Sequence, residues 1–484
     1  MKKTIIKNAN ILVGEELEIT ESGSIIISEH GIIEKVVRKS KQVDINIFDN
    51  SFAKKNGIKI IDAEGFIVIP GFINSHIHLG DSIGKDISAN ADLNKRVHPH
   101  YGIKKTILDK TPKSFLVQMM RNSLLSMVNK GITTFADFRE GGLEGLNLLR
   151  EAINNIPING ITLGRIDFSN YYDYDNSRSY LDNSKKHNTL FSQNTNANFS
   201  SKQKIGGDDK IKEWKGNRKG FGIGFEGNRK EENGIIQIGQ KILENCDGFG
   251  ISGANENTNA MLLLYNKLIQ EYKVKSRESK NKYKKLFLAI HAAEVKDAVE
   301  ESIIKYKKTE IKRTLELLDP DVYIHVTNPT ESDLHLLHTK GKKIVICPRA
   351  NGILGVGLAP IKKMLSLNLL LGIGTDNVML NSPDMFKEMD YLIKSQRAIE
   401  RDSSFLSAKE VLKMATVNGG KIFNLNAGCI KKGYKADLLF IDKYDLDLYP
   451  VFDIHMAIVN RCTERQIKAI MINGKLIREN TNLG

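Results

Sequence analysis

The chain has 484 residues, 41% of them hydrophobic, four cysteines and a formal net charge of +14. That length and apolar content suit one large barrel with a satellite domain, or two to three ordinary domains, and exclude a chain too polar to bury a core. No apolar run approaches membrane-spanning length, so a soluble cytoplasmic protein with no membrane partner is expected.

Taken in chain order, residues 1–65 carry short β-like runs, "TIIKNANILV" and "GSIIISEHGIIEKVV", joined by Gly and Asn turns. They read as the first part of a small β-domain. From 66 to 425 short apolar runs alternate with amphipathic or polar stretches. The runs are Gly65 to Ile73, Gly131 to Phe138, Ile156 to Gly164, Cys246 to Gly253, Leu286 to Ala293, Asp321 to Val326, Lys343 to Pro348 and Leu369 to Asp376. Between them lie helix-like segments such as Lys113 to Lys130, Asn257 to Tyr272, Val295 to Leu318 and Ser332 to His338. Eight β-α units predict a TIM-like (β/α)8 barrel of the α/β class, although a doubly wound open sheet has a similar rhythm.

One segment interrupts this rhythm. Residues 167–233 are rich in Asn, Ser, Lys and Gly, repeat "GNRK" at Gly216 and Gly227, and read as a disordered insertion. It follows the third strand, so it would emerge at the rim where barrel active sites form; a tolerated loop is favoured over a lid. The densest basic patch, Glu271 to Lys285, has seven basic and two acidic residues and reads as a solvated connector. No groove-reading motif accompanies it, so no nucleic-acid partner is expected. Residues 426–484 return to β-like runs, "ADLLFID" and "IKAIMINGKLI", and neither terminal piece looks able to bury a core alone. The two are expected to pair into one β-sandwich beside the barrel. Cys246, Cys347, Cys429 and Cys462 are far apart, which fits reduced structural thiols.

Residues that carry chemistry cluster at the ends of the runs. "NSHIHLGDS" places His76 and His78 two apart, on one face of a strand. A His-x-His pair alone decides little, but "LAIHAAE" closes the fifth run with His291 and Glu294, "VYIHVTN" the sixth with His325, and "LGIGTDN" the eighth with Asp376. Each has a bland explanation, a backbone bond or a helix cap. In a barrel all four ends point to one rim, and their coincidence is informative.

These residues resemble the amidohydrolase superfamily, in particular its mononuclear deaminase and chlorohydrolase branch. The resemblance runs through "PGFINSHIHL", "HVTNPTESDLHLL", "CPRANGILGVGLAPIKKML", "GTDNVMLNSPDMFKEM", "ATVNGGKIF" and "GCIKKGYKADLLFID". It implies that His76, His78, His291 and Asp376 hold one divalent ion, with zinc the first choice and ferrous iron suited to the same ligands. Such an ion lowers the pKa of water from about 15.7 towards roughly 7. The resemblance further implies that Asp376 orients the attacking water, His325 stabilises developing charge, and Glu294 shuttles protons to a ring nitrogen and the leaving group. Binuclear relatives carry a lysine on the fourth strand, and the run "CDGFGISGAN" has none, which points to one metal.

The implied activity is hydrolysis of a carbon-nitrogen bond other than a peptide bond. Deamination of an amino-substituted N-heterocycle is the leading reading, and cyclic-amide hydrolysis or a non-catalytic scaffold are the alternatives. Arg139 in "DFREGG", Arg165 in "LGRID" and Arg349 in "CPRAN" stand at strand ends where a guanidinium can clamp a carboxylate or phosphate of a small-molecule substrate, or form a rim salt bridge. Asp81 is a further candidate, for substrate or for a ligand histidine. Asn377 departs from the Gly-Thr-Asp-Gly pattern of many relatives. Homo-oligomerisation is left open.

Overall fold

The computed structural model describes residues 1–38, 56–87, 90–91, 95–96, 102–168, 229–278 and 285–479, and two sheets organise them. The first begins with β1 (Thr4–Val13), β2 (Glu18–Ile27) and β3 (Ile33–Val37), joined as antiparallel neighbours. β4 (Lys59–Asp62) and β5 (Phe66–Pro70) both run parallel to β1, on successive halves of it. The division follows from β1 itself, whose register breaks around Ala9 next to a left-handed Asn8 at φ 62°. An extra residue in one strand bends it and increases its twist.

The second sheet is the barrel. β6 (Phe72–His78), β7 (Ile132–Arg139), β8 (Asn159–Gly164), β9 (Gly248–Gly253), β10 (Phe287–Ala292), β11 (Val322–His325), β12 (Lys343–Ile346) and β13 (Leu370–Ile373) pair in that order, all parallel. Two residues beyond β13, the short β14 (Asp376–Asn377) pairs with β6 and closes the ring. Thr375 forms the seam: its N–H donates to His76 O at 2.9 Å and to Asn74 Oδ1 at 3.0 Å, and its hydroxyl accepts from Asn74 Nδ2 at 2.7 Å.

Period-2 alternation sorts the strand side chains. Ala136 and Phe138, Ile161 and Leu163, Phe287 and Ala289, Val322 and Ile324 pack with one another in one cluster, whereas Phe135, Leu288, Ile290 and Tyr323 join the larger core with the helices. That is the filled interior of a barrel, not a pore. Helices follow the strands as expected, with differences that have local causes. The predicted Val295 to Leu318 helix is two, Lys296–Tyr306 and Glu310–Leu317, because Lys307 is left-handed and the Thr309 side chain caps the second. The helix Arg229–Asn245 begins inside the stretch assigned to the insertion, of which 169–228 lie outside the described residues. The helix Asn259–Glu278 continues into the basic patch read as a connector.

The run Gly65 to Ile73 is also two elements in two sheets. Phe66–Pro70 belongs with the terminal strands, and Gly71, whose N–H donates to Asp437 O at 2.8 Å, is the crossing point. β15 (Leu438–Asp442) pairs antiparallel with β5, and β16 (Ile467–Ile472) and β17 (Lys475–Glu479) complete a sheet of eight strands from both termini. The expected terminal β-domain is therefore one hydrogen-bonded sheet. Ile67, Ile69, Leu439 and Ile441 merge its inner face with the barrel core, and Val68, Leu438 and Phe440 form a separate cluster on the other face. No helix among the described residues is long and apolar enough to cross a membrane.

Asp437 joins the two sheets at this interface. Its carboxylate accepts from Asn473 N at 2.6 Å and from Asn159 Nδ2, on β8, at 3.2 Å. Burial pushes its carboxyl up to about 6, against the opposing pull of the Asn473 N–H and Lys435. A carboxyl raised in the folded state stabilises the fold below its unfolded pKa, and that contribution is lost as pH rises through the folded value. Stability of the native chain should therefore fall between about pH 4 and pH 6 through this group. Asp437→Asn should flatten that part of the profile, measured as the denaturant midpoint at stepped pH; an unchanged slope would remove Asp437 as its source.

Candidate active site

At the C-terminal rim of the barrel, His76 and His78 from β6, His291 from β10 and Asp376 from β14 bring ligand-type atoms within 4.8 Å of one another. His291 follows Phe287 and Ala289 in the inward phase of its strand. Asp376 arrives through the seam pairing, opposite Ile77 of β6. Gly374 makes room for the cluster, since a Cβ there would lie 2.6 Å from that of His76. The strand ends depart from extended geometry: Ala293, His325, Val326 and Asp376 have φ of 53°, 70°, 48° and 60°. Non-glycine residues in this region cost about 1–3 kcal/mol each and concentrate at functional sites.

The atomic pattern is that of a cation site. His291 Nε2 lies 3.2 Å from His76 Nε2 and 3.3 Å from His78 Nε2, and His76 Nε2 lies 3.3 Å from Asp376 Oδ1. The outer nitrogens decide the tautomers. His291 Nδ1 donates to Ile251 O at 2.7 Å, and His78 Nδ1 to Phe138 O at 3.1 Å, which leaves each Nε2 with a lone pair directed at the others. Burial, reinforced by neighbouring histidines, holds His76 down to about 3 and His291 well below its usual range, so both are neutral imidazoles near pH 7. Burial alone would raise the Asp376 carboxyl, but His76, His325 and His78 hold it below its usual value, as a carboxylate. Neutral imidazoles and one carboxylate, buried and facing one another, fit a divalent ion with imidazole and carboxylate ligands. The fourth barrel strand, β9, carries no lysine, as read from the sequence.

Glu294 and His325 stand beside this set. His325 Nε2 lies 3.5 Å from Glu294 Oε2, and both group with Asp376. His325 Nδ1 donates to Asn351 Oδ1 at 3.0 Å, and Asn351 Nδ2 in turn donates to Thr327 Oγ1 at 2.8 Å. Burial raises the Glu294 carboxyl, opposed by His325. These residues line a cavity of about 260 Å³ that also reaches Lys104, Arg139, Arg165, Phe168 and Asn257.

The four substrate candidates separate. Arg165 lines the cavity, and no hydrogen bond or ion pair engages it among the described residues. Arg139 lines it too, but is 5% exposed and committed to Glu140 at 2.9 Å and to Met120 Sδ at 3.2 Å. Arg349 is a correction: it binds Glu388 at 3.4 Å, Asn381 Oδ1 and Ser382 O at 3.2 Å, and lies outside the cavity lining because its side chain turns to the helix Met385–Glu400. Asp81 is a second correction: it neither lines the cavity nor bonds a histidine of the set. It accepts from Asn377 Nδ2 at 2.6 Å and from Met379 N at 3.2 Å. This accounts for the unusual Asn377, whose amide ties the eighth strand to the loop after the first.

The carboxylate that does face a histidine is Glu140, 3.0 Å from His78 Nδ1, with Lys104 at 2.5 Å from the same oxygen. Sequence reasoning took Arg139 from "DFREGG" and passed over the adjacent glutamate. Likewise it took Arg349 from "CPRAN" and not Asn351. Lys104, in "GIKKT", has no motif to mark it.

Comparison with known proteins agrees with this geometry. The model of the amidohydrolase family matches residues 67–477. A relative from Methanothermobacter thermautotrophicus, provisionally named an aminohydrolase, is 30% identical over 478 residues, covering 99% of this chain and all of its own. A 5-methylthioadenosine/S-adenosylhomocysteine deaminase from Clostridium tetani is 25% identical over 98% of this chain and 93% of its own. Among solved structures, a zinc-bound adenosine deaminase from Xanthomonas campestris superposes with a TM-score of 0.70 at 17% identity, over 99% of this chain and 93% of its own. With the family model matched across the barrel and into the last strands, this chain belongs to the amidohydrolase family.

Proposed function

We propose that this chain is a metal-dependent aminohydrolase that removes ammonia from an amino-substituted N-heterocycle, with a purine nucleoside or related compound as its substrate class. The observation that carries the reading is the convergence of His76, His78, His291 and Asp376 on one buried point with Glu294 and His325 at its edge. Deaminases among the relatives and fold neighbours support the heterocycle, and the zinc of the adenosine deaminase supports zinc as the ion.

A divalent ion held by these four residues supplies Lewis-acid activation of water at neutral pH. The protein's own groups do the rest. Glu294, a half-buried carboxyl with a raised pKa, delivers a proton to the ring nitrogen, which makes the amino-bearing carbon electrophilic, then takes up a proton from the attacking water and passes it to the departing amine. His325, its Nδ1 held by Asn351, keeps the Nε2 lone pair available to accept a hydrogen bond from the attacking water. Arg165 is the substrate-side cation, because it alone of the four candidates lines the cavity without a hydrogen-bond or ion-pair partner among the described residues.

Ammonia release from a panel of aminated purines, pyrimidines, nucleosides and triazines should identify a substrate. Chelation should abolish turnover and added zinc or ferrous iron should restore it. Glu294→Gln should cut kcat by about 100-fold or more while metal content stays at the wild-type level. Metal-loaded protein that opens cyclic amides and frees no ammonia would replace deamination by amide hydrolysis. Arg165→Met should raise KM about 10-fold or more for substrates bearing a carboxylate or phosphate, and leave uncharged analogues unaffected. Equal effects on both classes would remove Arg165 from anion recognition.

A further inference from the structure

We infer that Lys104 is a positioning residue for the metal set, acting through two buried carboxylates that support it from opposite sides. Its Nζ lies 2.5 Å from Glu140 Oε1 and 3.3 Å from Asp81 Oδ2, and its side chain is 8% exposed. Each carboxylate serves a different part of the site. Glu140 Oε1 stands 3.0 Å from His78 Nδ1, and its other oxygen is held by Arg139 Nη2 at 2.9 Å. Asp81 accepts from the amide of Asn377, the residue next to Asp376, and from Met379 N. One ammonium thus fixes the imidazole from β6 and the carboxylate strand β14 relative to each other.

The surrounding residues leave little alternative. Gly80 permits the arrangement, since a Cβ there would lie 1.8 Å from Arg139 Nη2 and push the guanidinium off Glu140. Without Lys104, Asp81 would lose its ion-pair partner and Glu140 would keep only Arg139, and a buried charge that loses its partner is destabilising unless the structure shifts. The shift falls on His78 and Asn377, because these are what the two carboxylates hold. Groups that orient a ligating histidine typically change metal affinity about 10–100-fold when removed.

This inference rests on the metal-dependent reading, and the test separates the two. Zinc content and zinc affinity are measured on wild-type protein and on Glu140→Gln, Lys104→Met, Lys104→Arg and the Lys104→Met/Glu140→Gln double variant, by competition with a chromogenic chelator. Glu140→Gln and Lys104→Met should each weaken zinc about 10–100-fold, and the double variant should lose less than the product of the two. Lys104→Arg, which keeps a cation, should rescue most of the affinity. Glu140→Gln is near in shape and keeps the test valid if Lys104→Met does not fold. Folded variants with a lowered thermal midpoint but wild-type zinc affinity would overturn the inference and leave Lys104 a structural ion-pair residue. Wild-type protein that takes up neither zinc nor ferrous iron would overturn the metal-dependent reading, and the inference with it.

Discussion

Three buried imidazole Nε2 atoms facing one another beside a carboxylate form an arrangement suited to a shared cation. His78 Nε2 and His291 Nε2 cannot hydrogen-bond each other, because Ile251 O takes the Nδ1 proton of His291, and Phe138 O and Glu140 Oε1 share that of His78. His76 Nδ1 has no partner among the described residues, so its ring is held by packing, edge-on to Phe138 at 4.3 Å between centroids. Burial keeps His76 and His291 neutral and therefore competent as ligands; the same burial would penalise Asp376 as an anion were the histidines not beside it. The rim of the barrel is thus suited to hold a positive charge, with burial and neighbouring side chains setting the states of the groups around it.

Charge is balanced in a second ring. Glu140 would be raised by burial, but Lys104, His78 and Arg139 hold it well below the usual carboxylate range. Asp137 at the same rim goes the other way: burial pushes it up to about 6, only partly countered by Arg139 and by the Leu79 N–H, which it accepts at 2.7 Å. The two carboxyls are three residues apart in sequence. Their opposite shifts follow from position, since Lys104 reaches Glu140 and not Asp137.

Much of this was legible in the sequence. The eight barrel strands, the terminal β-domain and the four ligand-type residues stand out because alternation and strand-end position are local properties that a linear pattern preserves. Residues whose role depends on reach were not legible. Lys104 acts from the helix Ile103–Lys110 on carboxylates at 81 and 140, and nothing in "GIKKT" distinguishes it from a solvated lysine. Arg349 has the same strand-end setting as Arg165, yet turns outward to Glu388, a partner that only the folded chain brings near. The split of Gly65 to Ile73 between two sheets was hidden because both halves are buried and read as one apolar run.

Barrel closure and the site share the same residues in this chain. β14 pairs with β6 through Asp376 opposite Ile77, and the seam bonds of Thr375 to His76 O and to Asn74 lie between residues that carry the chemistry. His325 shows the complementary device. By alternation it should share the outward phase of Tyr323, but a left-handed backbone at His325 and Val326 breaks the phase, so His325 joins the site and Val326 returns to the outer core. A strand end that obeyed its own pattern would have sent this imidazole into the helical layer. The strained turn is therefore what converts a regular barrel strand into part of a reactive rim, and its cost is carried by the close-packed ring that the seam completes.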